Sequence, residues 1–221
     1  MVKDALVSFW ADGQSTAQDD FVGSGFFIAP GTVLTAAHVV DGSRPLWLRP
    51  EAGATQAYAV ERAKVCKHGS LDVAIVTLPA MPDGAFSLRP WRGNASPKEI
   101  TLNGFCEGRP DAPHRFTVLS FDPGEQHHLL HGKQTQGHSG SAACVGGEVW
   151  GLAVRHYLDP NIHRGCAIAL EQVWDWLMEQ VPALQSVTPL PEWGEWVDKV
   201  RERLQGCFGA PVFGRLFTMC D

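Results

Sequence analysis

Between residues 5 and 170 the chain is a succession of short apolar runs, each closed by a turn-forming pair. Runs at 5–10, 23–29, 32–37, 45–49, 58–66, 72–78, 99–105, 114–121, 141–145, 148–154 and 165–170 read as strands. The breaks between them have a mechanism. Pro30-Gly31, Asp41-Gly42, Pro82-Asp83-Gly84, Pro123-Gly124 and Gly146-Gly147 supply fixed or positive φ angles. Many short strands at regular spacing predict an all-β fold, a sandwich or a barrel.

The pattern changes after residue 170. Leu170, Val173, Trp174, Leu177 and Val181 fall on one face of a helix that Pro182 stops. Residues 183–191 read as a linker, its two prolines disfavouring helix before each. Trp193, Trp196, Val197, Val200 and Leu204 define a second amphipathic helix within 192–205, and an apolar tail runs to residue 221. The expected organisation is a main domain over 1–182, the linker, and an extension over 192–221. That extension carries enough apolar surface to need covering, by the main domain, by a second copy, or by a regulatory protein or further domain.

Composition narrows the function classes. A formal net charge of −6 with no basic run argues against nucleic acid or an anionic membrane as partner. No segment approaches the ~18 uninterrupted apolar residues of a membrane span. The first residues lack the apolar core and small-residue cleavage site of a secretory leader, so the expected location is the cytoplasm. Six cysteines are scattered without a close pair; in that compartment they read as free thiols, and no zinc spacing occurs.

Three stretches carry chemistry. "TVLTAAHVV" (32–40) places His38 in an apolar context, either as a core histidine or as a general base. "QGHSGSAAC" (136–144) flanks Ser139 with Gly137 and Gly140, so the backbone can turn sharply and project a hydroxyl. "SLDVAIVTLP" (70–79) puts Asp72 at the head of an apolar run, as a strand cap or as the partner of an imidazole. Each alone favours the bland reading. Together, in the order His, Asp, Ser, they match a nucleophile, its base and the group that orients the base.

Through these motifs the sequence resembles the trypsin-like peptidase family. The resemblance lies in "GSGFFIAPGTVLTAAHVV", "SLDVAIVTL", "ITLNGF" and "GHSGSAAC", and covers residues 5 to about 181. It implies a chymotrypsin-like double six-stranded β-barrel, with barrels over roughly 1–92 and 93–170 and a closing helix over 170–181. It further implies a serine endopeptidase acting on protein or peptide substrates, with His38, Asp72 and Ser139 as triad and the amides of Gly137 and Ser139 as oxyanion hole. That chemistry needs no metal and no organic cofactor.

The departures are informative. His138 stands where secreted, cleavage-activated members carry Asp, and Ser141 replaces a glycine. No cysteines bracket His38. These features are closer to the HtrA and glutamyl-endopeptidase branches and agree with a reducing compartment. Lys133 resembles in position the residue at the base of the S1 pocket, where an ammonium favours an acidic P1 side chain; a solvated loop lysine is the competing reading. Ala153, Val154 and Arg155 are similar to the wall strand of that pocket. "HHLLH" (127–131) reads as surface histidines in a loop, with no metal site. The resemblance also suggests a protease effector controlled by a sensor in a bacterial multi-component system. The competing class is a catalytically silent trypsin-fold module that binds protein.

Overall fold

The computed structural model describes residues 2–42, 44–51, 56–91, 93, 96–106, 108–110, 112–132, 138–156 and 164–186. Met1–Trp91 and Ser96–Ser186 form one compact unit. The predicted helix over 192–205, its tail, Lys133 and Gly137 lie outside the described residues, as do the side chains of Arg155 and His156.

The first half of the unit is a curled antiparallel sheet. Its strands are β1 (Leu6–Trp10), β2 (Phe21–Ala29), β3 (Thr32–Thr35), β4 (Trp47–Pro50), β5 (Tyr58–Ala59), β6 (Val65–Lys67) and β7 (Ala74–Thr77). They lie in the order β5-β4-β1-β2-β3-β7-β6. The second half contains β8 (Glu99–Asn103), β11 (His114–Asp122), β12 (His127–His131), β13 (Ala142–Val145), β14 (Glu148–His156) and β15 (Arg164–Ala169). These close into a barrel in the order β11-β12-β15-β14-β13-β8, with β8 pairing β11 to complete the ring. A small hairpin of β9 (Phe105–Cys106) and β10 (Arg109–Pro110) stands beside it.

The fold is chymotrypsin-like, and the second barrel has the six strands expected. The first half carries seven strands and curls without a ladder joining its edges among the described residues. Those edges are β5 and β6, two and three residues long, too short to supply such a ladder. The apolar run 58–66 is broken between them by a 3-10 turn, Arg62–Lys64, where Glu61, Arg62 and Lys64 interrupt the alternation a strand requires. Phe9, Phe26, Phe27, Leu34 and Leu48 fill the curl instead.

Residues 142–144 of β13 and 149–154 of β14 are buried on both faces of the sheet, and this explains their sequence. Along β13, Ala142 and Cys144 pack into the core shared with the first sheet, while Ala143 packs into the barrel interior. Along β14, Val149, Leu152 and Val154 face the shared core, and Trp150 and Ala153 face the interior. Successive residues point to opposite faces, so a strand covered on both sides reads as an unbroken apolar run.

One segment runs against expectation. Residues 127–131 form β12, hydrogen-bonded to β11 on one side and β15 on the other. His127 and His128 are 6% and 8% exposed, so they are barrel residues and not surface loop histidines. The His128 ring lies 4.9 Å from Trp150 and 5.0 Å from Phe121. Burial holds its imidazole below the ordinary histidine range, with the nearby Glu171 acting in the opposite sense. Two leucines between histidines are too weak a local signal to mark a strand that two neighbours impose.

A 3-10 turn, Leu170–Val173, leads into helix α1 (Trp174–Gln180). Leu170, Val173, Leu177 and Val181 are buried, the face the periodicity predicts. A further turn, Pro182–Ser186, buries Leu184, so the compact unit extends into the stretch that the sequence marks as linker from 183.

Truncating the barrel core should be costly. Phe116→Ala empties a site that is 1% exposed and is expected to destabilise by about 3–5 kcal/mol. Leu119→Ala on the same strand, at 49% exposure, should change stability by less than about 0.5 kcal/mol. Urea unfolding of the two variants checks the contrast.

Candidate active site

His38 sits in a single 3-10 turn, Ala37–Val39, directly after β3. The apolar strand ends because Ala36, still extended, hands over to a turn closed by Val39 and Val40 amides on the Ala36 and Ala37 carbonyls. Val39 and Val40 are buried and anchor the turn, while the His38 side chain stays about half exposed at 49%. Asp72 comes from the loop between β6 and β7, where buried Leu71 and Val73 flank it.

The two side chains meet. His38 Nδ1 lies 2.6 Å from Asp72 Oδ2, and the His38 amide donates to Asp72 Oδ1 at 2.9 Å. Each carboxylate oxygen therefore bonds to His38. Burial by itself pushes the Asp72 carboxyl up. The hydrogen bonds from the His38 ring and from the His38 and Ala37 amides outweigh that burial and hold it below the ordinary aspartate range. An ionised carboxylate can only accept, so Nδ1 carries the proton of the neutral ring and Nε2 its acceptor lone pair.

Ser139 enters from the barrel half. Its carbonyl accepts the Ser24 amide of β2 at 2.8 Å, and the next amide, Gly140, donates to the Ala153 carbonyl of β14 at 2.7 Å. Gly140 has φ +84°, and a Cβ there would lie 1.9 Å from the Ser24 carbonyl oxygen. The tight passage over β2 thus requires glycine at that position. A Cβ on Gly23 would lie 2.7 Å from Val39 and 3.2 Å from the Ser139 carbonyl. That one point brings the residue following His38 and the Ser139 backbone together.

Ser24 is the residue that sequence reasoning missed. Buried in β2, it receives the Thr35 hydroxyl on its carbonyl at 2.7 Å and the Phe105 amide on its Oγ at 3.0 Å. It lay inside the quoted "GSG" motif, but a serine in a strand gives no local sign that it holds three other segments.

The remaining candidates are distributed as follows. Ala153 and Val154 are buried in the two cores, and Ala153 reaches the Ser139 loop through its backbone, with its amide on the Ser141 carbonyl at 2.9 Å. Arg155 lies on the same strand. A cavity of about 470 Å³ opens beside His38, lined by Val22, Val39, Val40, Leu46, Val60 and Val65 with Asp19 and Arg44. Among the described residues no group of three or more His, Cys, Asp or Glu side chains could hold a metal ion, and no helix is long and apolar enough to cross a membrane. None of Cys66, Cys106, Cys144 and Cys166 is in a disulfide, and burial pushes the Cys144 thiol up to about 12, which makes it unreactive.

Comparison with known proteins gives one consistent answer. The profile described as "trypsin-like peptidase domain" matches residues 23–152. The Rv3671c protease of Mycobacterium tuberculosis in its active form superposes with a TM-score of 0.62 at 20% identity, over 86% of this chain and 83% of that one. A human astrovirus serine protease gives 0.57 at 18% identity, over 76% and 90%. Mouse brain neuropsin, a serine protease, gives 0.63 at 14% identity, over 80% and 94%. At these identities the solved structures establish similarity of fold. None of the curated proteins matches significantly.

The depressed Asp72 carboxyl has a thermodynamic consequence. Its contribution to stability is complete above the unfolded aspartate value of about 3.9 and is lost as pH falls through the folded value. The melting temperature of the wild type should therefore exceed that of Asp72→Asn at neutral pH, and the gap should close below about pH 4. A gap of constant size from neutral to strongly acid pH would contradict this account of the carboxylate.

Proposed function

This chain belongs to the trypsin-like peptidase domain family, and from that premise we propose that it cleaves polypeptides through Ser139, His38 and Asp72. The 2.6 Å contact between His38 and Asp72 carries the reading, supported by the pinning of the Ser139 loop to β2 beside the His38 turn. Ser139 Oγ attacks the scissile carbonyl and passes its proton to His38 Nε2. His38 then delivers that proton to the leaving amine, leaving an acyl group on Ser139. Water attacks the acyl carbon, gives a proton to His38, and the serine is restored as His38 returns it. Asp72 holds the ring tautomer and stabilises the imidazolium.

The amides of Gly137 and Ser139 are the proposed oxyanion donors, each lowering the barrier by roughly 3 kcal/mol. Lys133, Ala153, Val154 and Arg155 remain the proposed substrate-contacting set, with Ala153 acting through its backbone. A preference for an acidic P1 residue rests on Lys133 and Arg155. The reading extends to a reducing compartment, which the free thiols favour, and to control by a regulatory partner or domain through 192–221.

A fluorophosphonate probe tests the core of the proposal. Wild type should label, and Ser139→Ala and His38→Ala should not. On a peptide substrate each variant should lose about 10⁴-fold or more in kcat, and the double variant should be no worse than either. A well-folded wild type that neither labels nor cleaves would leave the protein-binding module or a latent enzyme, and labelling that stays absent with cell lysate or a candidate partner added would favour the module.

A further inference from the structure

The loop that carries Asp72 is shaped by a residue four positions upstream. The His68 amide donates to the Val73 carbonyl at 2.9 Å, and the Val73 amide turns back onto Leu71 at 2.8 Å. Within this turn the His68 ring faces its own backbone. Nδ1 accepts the Leu71 amide at 3.1 Å and the Ser70 amide at 3.3 Å. Two donors converging on Nδ1 leave that nitrogen without a proton, so the ring is the neutral Nε2–H tautomer. Nδ1 stands where the Oδ1 of an Asn or Asp stands when it captures the amide two residues on. The ring also lies edge-on to Trp176 of α1, centroids 5.3 Å apart and planes at 83°.

We propose that His68 is a positioning residue: its neutral imidazole caps the 68–73 turn and so holds Asp72 in register with His38. The inference rests on the reading of His38 and Asp72 as catalytic residues. Asp72 must meet the ring at 2.6 Å and the amide at 2.9 Å simultaneously, which leaves little room for a shift of its backbone. A further tie between the His38 turn and this loop is the Lys67–Asp41 ion pair, whose side chains are 43% and 62% exposed. An exposed pair of that kind contributes little, so the cap is the stronger constraint.

Two substitutions separate the acceptor from the ring. His68→Phe keeps an aromatic edge for Trp176 and removes the acceptor; kcat should fall by about 10–100-fold with KM unchanged. His68→Asn supplies an acceptor without a ring and should restore kcat to near the wild-type value. The opposite order, Phe active and Asn impaired, would show that packing on Trp176 matters and would overturn the proposal. The second readout is the far-downfield proton resonance of the short His38–Asp72 hydrogen bond, assigned by its loss in Asp72→Asn. It should persist in His68→Asn and vanish or move upfield in His68→Phe. If Asp72→Asn leaves the resonance in place, the catalytic reading of the pair fails. If Asp72→Asn removes it while His68→Phe preserves both it and kcat, only the role of His68 falls. Should His68→Phe fail to fold, His68→Ala takes its place in both measurements.

Discussion

Ser24 donates its amide to the Ser139 carbonyl and accepts the Phe105 amide on its hydroxyl, and both bonds cross from the first sheet to the barrel half. Its own carbonyl is held by Thr35, on the strand that leads into His38. One buried residue thus ties the proposed nucleophile's loop, the start of β9 and the approach to the proposed base. Neutral hydrogen bonds of this kind contribute about 1 kcal/mol each, but leaving any of these buried groups unpaired would cost about 1–3 kcal/mol. The arrangement is therefore defined more by what it would cost to break than by what it adds. Gly140 follows from it, since a Cβ there would strike the Ser24 carbonyl; a Cβ on Gly104 would lie 1.8 Å from Ser141 Oγ and 3.1 Å from Ser24 Oγ.

The candidate site inherits its rigidity from this join. His38 and Asp72 both come from the first sheet, on a turn and a loop anchored by buried valines and Leu71. Ser139 comes from the barrel, on a loop bonded to β2 and to β14. Each half alone would hold an incomplete set. Because the outer face of β13 and β14 shares a core with the first sheet, relative movement of the halves would open apolar contacts along that whole face. A proton-transfer chain needs atoms held to a fraction of an ångström, and a shared core provides that where a flexible hinge does not.

Much of the fold was legible along the chain, for identifiable reasons. The runs at 23–29, 141–145 and 148–154 are largely apolar because they are buried on one or both faces, and burial is what hydrophobic patterning reports. Leu170, Val173, Leu177 and Val181 likewise marked the closing helical segment. Where the signal is set by neighbours, reading fails. Residues 127–131 became a central barrel strand because β11 and β15 bond to both its edges, and 58–66 broke because polar residues at 61–64 turn it.

The sequence alone singled out His38, Asp72 and Ser139, since local context and order along the chain are linear properties. It also carried the glycine at 140, whose positive φ no β-carbon would permit in that tight passage. Tertiary structure alone decided the 2.6 Å contact between His38 and Asp72, residues 34 positions apart, and the attachment of Ser139 to Ser24 across the two halves. It alone turned an ordinary-looking serine, Ser24, into a holder of other segments, and set the His68 ring on the amides of its own turn. The reason is physical: a hydrogen-bond partner is chosen by distance in space, and nothing in the spelling of a residue records which distant atom the fold will bring to it.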